Sequence, residues 1–463
     1  MRSYNIIVVA AAAVLLGSCK AYHSLYDNYE RPEAKTQGVV RDPSGSGFIS
    51  NNDTTGFGNL PWRSVFTDPD LQAIISKTLS NNPDLLNAAL NVEIAEAQLK
   101  ASKLAFLPSL AFSPSGTITH FGTHTEATKA YSLPISASWT VDLFGTLRSQ
   151  KKAAQVALLQ SKDYQLAVKT KLICNVANLY YTLLMLDKQV EIVDNVSSLM
   201  KDTWDMMKLQ MEYGRARSTS VQSAEAAYYS ALTQSTDLKR QIRETENSLS
   251  LLMGEPAQGI KRGTLEAQSL PSNFANGIAV GALANRPDVH ANEMALASCF
   301  YNVETARSRF YPSLTISPTG AFTNNGGLVN PGKWLFQAVA SLTQPIFMKG
   351  QLIAGLRVAE AQYKQAYNTW QNSVLSAGSE VSNALVLYNS SKEKLDMEEK
   401  QIEVLKANVE QTKQLYTQSS STYLEVITAQ QNLLNAEISS VQDAYYKMQA
   451  VVNLYYALGG GVN

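Results

Sequence analysis

Charge is scarce in this chain, and balanced. Lys and Arg number 39, Asp and Glu 39, and charged residues make up 17% of the 463 residues. A nucleic-acid binder usually carries a basic excess, so this balance argues against that class. Globular proteins average about 25% charged residues; Gln, Ser, Asn and Thr fill the gap here. That mix suits long, partly wet surfaces better than a thick dry core. Only 3 cysteines and 4 histidines are present, and they form neither C-x-x-C nor H-E-x-x-H. A complete phosphate loop and a G-x-S-x-G elbow are also missing. No enzyme, metal site or bound cofactor is expected. No later stretch is apolar for the roughly 20 residues that a membrane-spanning helix needs. Such a chain crosses a membrane only as a closed barrel.

Met1–Ser18 joins Arg2 to the apolar run Ile6–Leu16 and reads as a signal peptide. It ends in Leu16-Gly17-Ser18-Cys19, which resembles the bacterial lipobox. The motif implies cleavage before Cys19 and a covalent lipid on its sulfur and new amine. Acyl chains contribute about 0.8 kcal/mol per buried CH2, so a multiply acylated Cys19 anchors the chain. Lys20 stands where some bacteria use Asp for inner-membrane retention, which points to the outer membrane. An ordinary signal peptide with an incidental Cys is the alternative. Cys174 and Cys299 lie in helical patterns and read as buried thiols.

What the chain does contain is period-two alternation. In Tyr131–Leu143 the odd positions Tyr131, Leu133, Ile135, Ala137, Trp139, Val141 and Leu143 are apolar, and the even ones are Ser, Pro, Thr or Asp. That is a strand with one greasy and one wet face. Leu110, Phe112 and Ile118 alternate likewise with Ser and Thr, making a first hairpin over about 109–145. A second hairpin over about 312–347 carries Leu314, Ile316 and Phe322, then Trp334, Phe336, Ala338, Ala340 and Leu342.

The chain also repeats itself. Asn285-Arg286-Pro287-Asp288 echoes Asn81-Asn82-Pro83-Asp84. At one constant offset Phe106, Pro108, Ser109, Leu110, Pro114 and Gly116 match Phe310, Pro312, Ser313, Leu314, Pro318 and Gly320. Heptads alone would not reproduce Pro and Gly positions. The expected parts are a signal peptide 1–18, an arm 19–60, a first repeat 61–256, a linker 257–284 and a second repeat 285–463. Each repeat reads helix, hairpin, long helix, helix. Seven-residue rows mark coiled-coil packing: Ile192, Leu199 and Met206; Val193, Met200 and Met207; and Leu395, Ile402, Val409 and Tyr416. A helix of roughly 65 residues is nearly 100 Å long, more than one globular domain needs.

Each alternating run has about the length of a tilted transmembrane strand. Four strands cannot close a barrel, and an open edge cannot sit in lipid. Either the strands form a soluble sheet or several chains pool them. The small Ser, Thr, Ala and Gly residues on the wet face favour a wide pore.

Trp62-Arg63-Ser64-Val65-Phe66-Thr67-Asp68-Pro69, Asp142-Leu143-Phe144-Gly145, Leu252-Met253-Gly254-Glu255-Pro256, Arg286-Pro287-Asp288-Val289, Gln344-Pro345-Ile346-Phe347 and Tyr423-Leu424-Glu425-Val426 follow one another in this order. With them the chain resembles outer-membrane efflux channels of the TolC/OprM type, in their lipoprotein branch. The resemblance implies a mostly α fold with transmembrane β: a homotrimer whose 12-stranded β-barrel stands on an α-helical periplasmic barrel. It implies a periplasmic adaptor and an inner-membrane pump as partners, with outer-membrane lipid around the barrel. The function it implies is a passive duct for small molecules, with type I protein secretion or metal efflux as variants. A lipid-anchored coiled-coil scaffold without a pore is the reading from a different class.

The resemblance also assigns candidate residues. Tyr131, Leu133, Ile135, Trp139, Trp334 and Phe336 would face lipid. Where the family narrows its pore, this chain has Ser220 in the first half and Glu425 and Thr428 in the second. Three copies of Glu425 would favour cations; a solvated helix-surface glutamate is the plainer reading. Tyr416 matches a gate-holding tyrosine, and also continues the Leu395 row as a packing residue. Ser419 stands where the family has Gly, and no arginine lies near Ser421. Arg215 and Arg217 at the first helix tip are candidates for adaptor contact or are solvated turn residues. His120 and His124 share one loop without helical alignment.

Overall fold

A computed structural model describes residues 28–33, 57–120, 122, 127–271, 283, 286–324, 332–418 and 422–462. The signal peptide, Cys19, His124, Ser419 and Ser421 lie outside these residues. The first half runs α1 (Trp62–Val65), α2 (Pro69–Asn81), α3 (Pro83–Leu104), β1 (Ser109–Phe112), β2 (Ser115–Thr119), β3 (Thr128–Val141), α4 (Thr146–Glu212) and α5 (Ser218–Leu252). The second runs α6 (Pro287–Ser308), β4 (Ser313–Thr323), β5 (Lys333–Thr343), α7 (Gln351–Thr417) and α8 (Tyr423–Ala457). The repeat is kept to the residue: α3 and α6 have 22 residues each, α4 and α7 67, α5 and α8 35.

The repeated Pro-Asp dipeptides start helices. Pro83 and Pro287 open α3 and α6, where the missing N–H costs nothing. The Asn82 carboxamide oxygen accepts from the Asp84 and Leu85 amides at 2.9 and 3.2 Å. Its Nδ2 donates to the Leu252 carbonyl, the last of α5, at 2.9 Å. Arg286 occupies the equivalent place and donates from Nη1 to the Ala457 carbonyl, the last of α8, at 3.1 Å. Both returning helices end in a left-handed glycine, Gly254 at φ 68° and Gly459 at φ 79°. The amides of Glu255 and Gly460 close back onto the Ser250 and Tyr455 carbonyls at 3.0 and 2.8 Å, so the two helix ends share one stop. A Cβ at Gly254 would come within 2.9 Å of the Asn81 carbonyl oxygen.

The chain divides into two units. One holds residues 1–33, 90–162 and 291–371; the other holds 34–89, 163–290 and 372–463. The first contains the sheet. Its order is β1/β2–β3–β4–β5, all antiparallel. β1 and β2 keep one register against β3, with Ser113 bonding the Pro134 carbonyl between them. Pro114, which lacks an N–H, interrupts what is otherwise a single strand. β1 and β2 thus share one strand position, and the sheet of the described residues has four positions, as the alternation predicts.

The second unit contains the helical core. Tyr180, Leu183, Leu184, Val193, Met200 and Met207 of α4 pack with Val221, Ala224 and Leu238 of α5 and with Ile427, Leu434 and Tyr455 of α8. Of the two seven-residue rows on α4, Val193, Met200 and Met207 are buried at 0, 3 and 1% exposure. The other row is less deeply set: Ile192 is 9% and Leu199 37% exposed, and Met206 is half-buried. On α7 the Leu395 row is only half-buried along its length. Cys174 and Cys299 are free thiols, and burial pushes Cys174 up to about 12.

Candidate channel wall and helix tips

Strand pairing decides which residues share a face, because directly opposed residues point the same way. Leu133, Ile135, Trp139 and Val141 of β3 oppose Phe322, Gly320, Ile316 and Leu314 of β4. Those in turn oppose Trp334, Phe336, Ala340 and Leu342 of β5. Leu110 and Phe112 of β1 stand opposite Ala137 and Ile135. The apolar parity of all four strands thus falls on one face. The opposite face carries Ser109, Ser113, Ser115 and Thr117, then Ser132, Ser136 and Thr140, then Thr315, Ser317 and Thr319.

The apolar face is bare. Leu110, Phe112, Ile135, Trp334, Phe336 and Leu342 are each more than half exposed. Soluble monomers rarely expose so large a contiguous apolar surface. Gly320 leaves room on it for the Phe336 ring; an added Cβ there would lie 3.2 Å from Phe336 Cε1. Aromatic side chains collect toward its two ends. Near the hairpin loops, Tyr131 lies 6.2 Å from Phe322, Phe322 5.5 Å from Trp334, and Trp334 stacks on Phe336 at 6.1 Å. Tyr131 is half-buried, and its hydroxyl accepts the Gly332 amide at 3.0 Å. At the other end Trp139 donates its indole N–H to the Phe106 carbonyl at 3.0 Å, and Phe144 stacks on Tyr311 at 5.1 Å. Tyr131 to Trp139 spans about 27 Å of strand.

The helix tips lie in the other unit. Between α4 and α5, Arg215 and Arg217 are exposed, and Arg217 caps α5 with its backbone only. Ser220 is buried at 5% exposure. At the second tip, Glu425 and Thr428 are exposed on the first turns of α8. Glu425 also closes a capping box: the Thr422 amide donates to its Oε2 at 3.3 Å, and the Thr422 side chain takes the Glu425 amide. The Thr422-x-x-Glu425 spacing carries that cap in plain sight. Tyr416 is half-buried, and its hydroxyl donates to Gln210 Oε1 at 2.6 Å, tying the end of α7 to the end of α4. Burial raises the Tyr416 hydroxyl above its ordinary range. His120 is exposed just past β2.

Sequence reasoning missed the ionic joints. Arg262, in the segment after α5, binds both carboxylate oxygens of Asp187 at 2.5 and 2.9 Å and Glu246 at 2.7 Å. Lys261 adds Asp70 at 2.8 Å, and Lys188 binds Glu266 at 2.9 Å. These contacts fasten residues 260–266 across α2, α4 and α5. Arg31 of the N-terminal arm bonds Glu293 of α6, in the sheet-bearing unit. The arm's low complexity gave no sign of this docking.

The sheet and the doubled helix pairs are those of a channel-forming class. The outer membrane efflux protein family matches residues 74–255 and 279–460, and the chain belongs to that family. It is 26% identical over 446 residues to the cation efflux system protein CusC of Escherichia coli (strain K12), covering 95% of this chain and 96% of CusC. It is 27% identical over 481 residues to the toluene efflux pump outer membrane protein TtgC of Pseudomonas putida, covering 99% of this chain and 96% of TtgC. The crystal structure of the open-state MtrE outer membrane channel of Neisseria gonorrhoeae superimposes with a TM-score of 0.82 at 25% identity, covering 94% of this chain and 98% of MtrE.

Proposed function

We propose that three copies of this chain close one twelve-stranded barrel and form the passive outer-membrane duct of a tripartite efflux system. The observation that carries the reading is the bare apolar face, which runs unbroken over four strands. Among the described residues, the sheet has no strand partner beyond β1/β2 or beyond β5. An open edge is not tolerated in lipid, so identical copies must pair β5 of one with β1/β2 of the next. Three copies give twelve strands and a lumen wide enough to stay wet behind the Ser and Thr face. Tyr131, Trp334 and Phe336 then sit at one membrane interface and Trp139 at the other. An acylated Cys19 anchors the arm, and residues 257–284 link repeats 61–256 and 285–463. Energy comes from an inner-membrane pump joined through a periplasmic adaptor; the exposed Arg215 and Arg217 offer that adaptor a basic contact. Glu425 and Thr428 face the axis at the narrow end.

Similar identity to a cation-exporting and a toluene-exporting relative supports small-molecule export without choosing the cargo. The test is conductance of the purified, lipidated protein in planar bilayers, with chemical cross-linking and heat-modifiable mobility. Cross-linked trimers with stepwise conductance support the duct. Folded, lipidated protein without pores sinks it and favours the scaffold. Sensitivity of a deletion strain to drugs, bile salts and metal ions then identifies the cargo, and lost secretion of a protein would mark the type I variant.

A further inference from the structure

Charge is balanced over the whole chain but not around the sheet. Within twelve residues of the strand ends that meet α3, α4, α6 and α7, eight residues are basic and two acidic. Both acids are matched. Asp142 caps α4 and lies 3.7 Å from Arg148, and Glu304 binds Arg307 at 2.8 Å. Among the described residues, Lys100, Lys103, Lys151, Arg309 and Lys349 have no ion pair. The opposite end of the sheet differs. Apart from histidines, its loops 120–127 and 324–332 hold a single charged residue, Glu126.

The basic excess sits where the apolar face ends. Trp139, on that face, donates to the Phe106 carbonyl at 3.0 Å, and the Lys151 ammonium lies 5.9 Å from the Phe106 ring centre. Arg148, one turn earlier on α4, shares the side of Lys151. Lys103 is exposed beside the bare Leu104 and Leu107, and Arg309 is exposed two residues before Tyr311, which stacks on Phe144. After β5 the chain runs Ile346-Phe347-Met348-Lys349, with Ile346 96% and Phe347 82% exposed. Lys349 has φ 51°, and is the sole non-glycine in the left-handed region among the described residues. A lysine holds that conformation only where its surroundings dictate it. Bare apolar side chains interleaved with unpaired cations make a membrane interface: stems lie along apolar surface and charged heads reach outward. The N-terminal arm marks the side. Lys152 Nζ donates to Asn28 Oδ1 at 2.7 Å. Asn28 stands nine residues after Cys19, a span of at most about 30 Å. A lipid on Cys19 therefore enters the bilayer beside this end of the sheet.

We propose that Lys103, Arg148, Lys151, Arg309 and Lys349 form a basic collar that binds the phosphate groups of anionic phospholipids. Two observations name the occupant: the charge of the collar, and its continuity with the apolar wall. The wall takes the acyl chains and the collar takes the headgroup of the same molecule. A zwitterionic headgroup carries its own ammonium and offers these cations less than phosphatidylglycerol does. Three copies repeat the collar around the barrel and set the depth of the duct in the leaflet nearest its helices. The collar rests on the duct reading for its bilayer, and adds the lipid that the duct selects.

Trp139 and Trp334 stand on the apolar face, so lipids brominated on their acyl chains quench their fluorescence. Full-length wild-type protein is reconstituted in phosphatidylcholine vesicles containing brominated phosphatidylglycerol or brominated phosphatidylcholine. At low salt, phosphatidylglycerol is expected to bind about fivefold more strongly, the effect of one cation near a membrane surface. At about 1 M salt, where charge acts over only about 3 Å, the preference should vanish. Lys103→Gln, Lys151→Gln and Lys349→Gln together should remove it at low salt. Lys392→Gln, Lys400→Gln and Lys413→Gln together, the same loss of charge farther along α7, should leave it intact. Equal quenching of the wild type by the two lipids overturns the collar whether or not the variants fold, and leaves the duct standing. A preference that survives the collar variant, or that the α7 variant abolishes, also overturns it. Free glycerol phosphate should not compete; if it removes the preference, the ligand is a soluble phosphate and the lipid collar is overturned. Quenching by neither lipid would put the apolar face outside the bilayer and sink duct and collar together.

Discussion

The two halves of this chain share the lengths of their three repeated helices to the residue, yet they are held by different chemistry. Asn82 and Arg286 occupy the same corner and reach the same carbonyl of their returning helices. Asn82 does so with an amide alone. Arg286 is 2% exposed, and adds Asp288 at 2.7 Å and Glu380 at 2.7 Å, with the Tyr456 ring 5.1 Å away. Farther along, the contrast reverses. α4 is buried on several sides, and Asp194 on it binds Ser235 at 2.6 Å and Lys239 at 3.2 Å of α5. The outer part of α7 keeps one half-buried seam, with Lys406 bound to Glu437 of α8 at 3.1 Å. A duplicated fold can thus bury one long helix deeply and leave the outer part of its counterpart held along a single seam.

The sharpest way to break that comparison is at the corners. Arg286→Ala empties the volume of a side chain that is 1% exposed and takes a donor from the Ala457 carbonyl, while the partly exposed Asp288 and Glu380 stay solvated, and should cost about 3 kcal/mol. Asn82→Ala loses a cap and one hydrogen bond and should cost about 1–2 kcal/mol. Urea unfolding of the detergent-solubilised protein measures both. Equal losses would mean that the extra ionic partners of Arg286 add nothing.

The second contrast lies along the long helices. Leu184 on α4 is 1% exposed, and Leu184→Ala should cost about 3 kcal/mol in the global transition. Leu405 on α7 is half-buried. Leu405→Ala should cost about 1 kcal/mol, felt mainly as faster hydrogen exchange over 395–417. A global loss from Leu405→Ala as large as that from Leu184→Ala would show the outer part of α7 to be as firmly held as α4.

Much of this was legible before any coordinates. Period-two alternation named the strands because successive side chains point to opposite faces, which puts Trp139 and Phe336 on one apolar face. The corners were legible because Pro fixes φ at a helix start and Gly admits the left-handed turn at a helix end. The burial of Ser220 was not, since a lone serine gives no periodic signal. The ionic joints of Arg262 and Arg286 stayed hidden as well: their partners lie far off in sequence, and a charge on a helix reads as a solvated face.

The smallest expected effect is at Glu425, where cap and charge coincide. Glutamine at the third helical position also completes a capping box. Glu425→Gln therefore removes charge while leaving the start of α8 intact, and its stability should match wild type. Its pore should lose cation preference, read as a reversal potential nearer zero in a salt gradient. Glu425→Ala removes both and should add a loss of about 0.5–1 kcal/mol. An unchanged reversal potential in Glu425→Gln would leave Glu425 as a helix cap that does not line the constriction. A stability loss in Glu425→Gln would instead show that the carboxylate's charge, favoured near a helix N-terminus, holds the cap more than its geometry does.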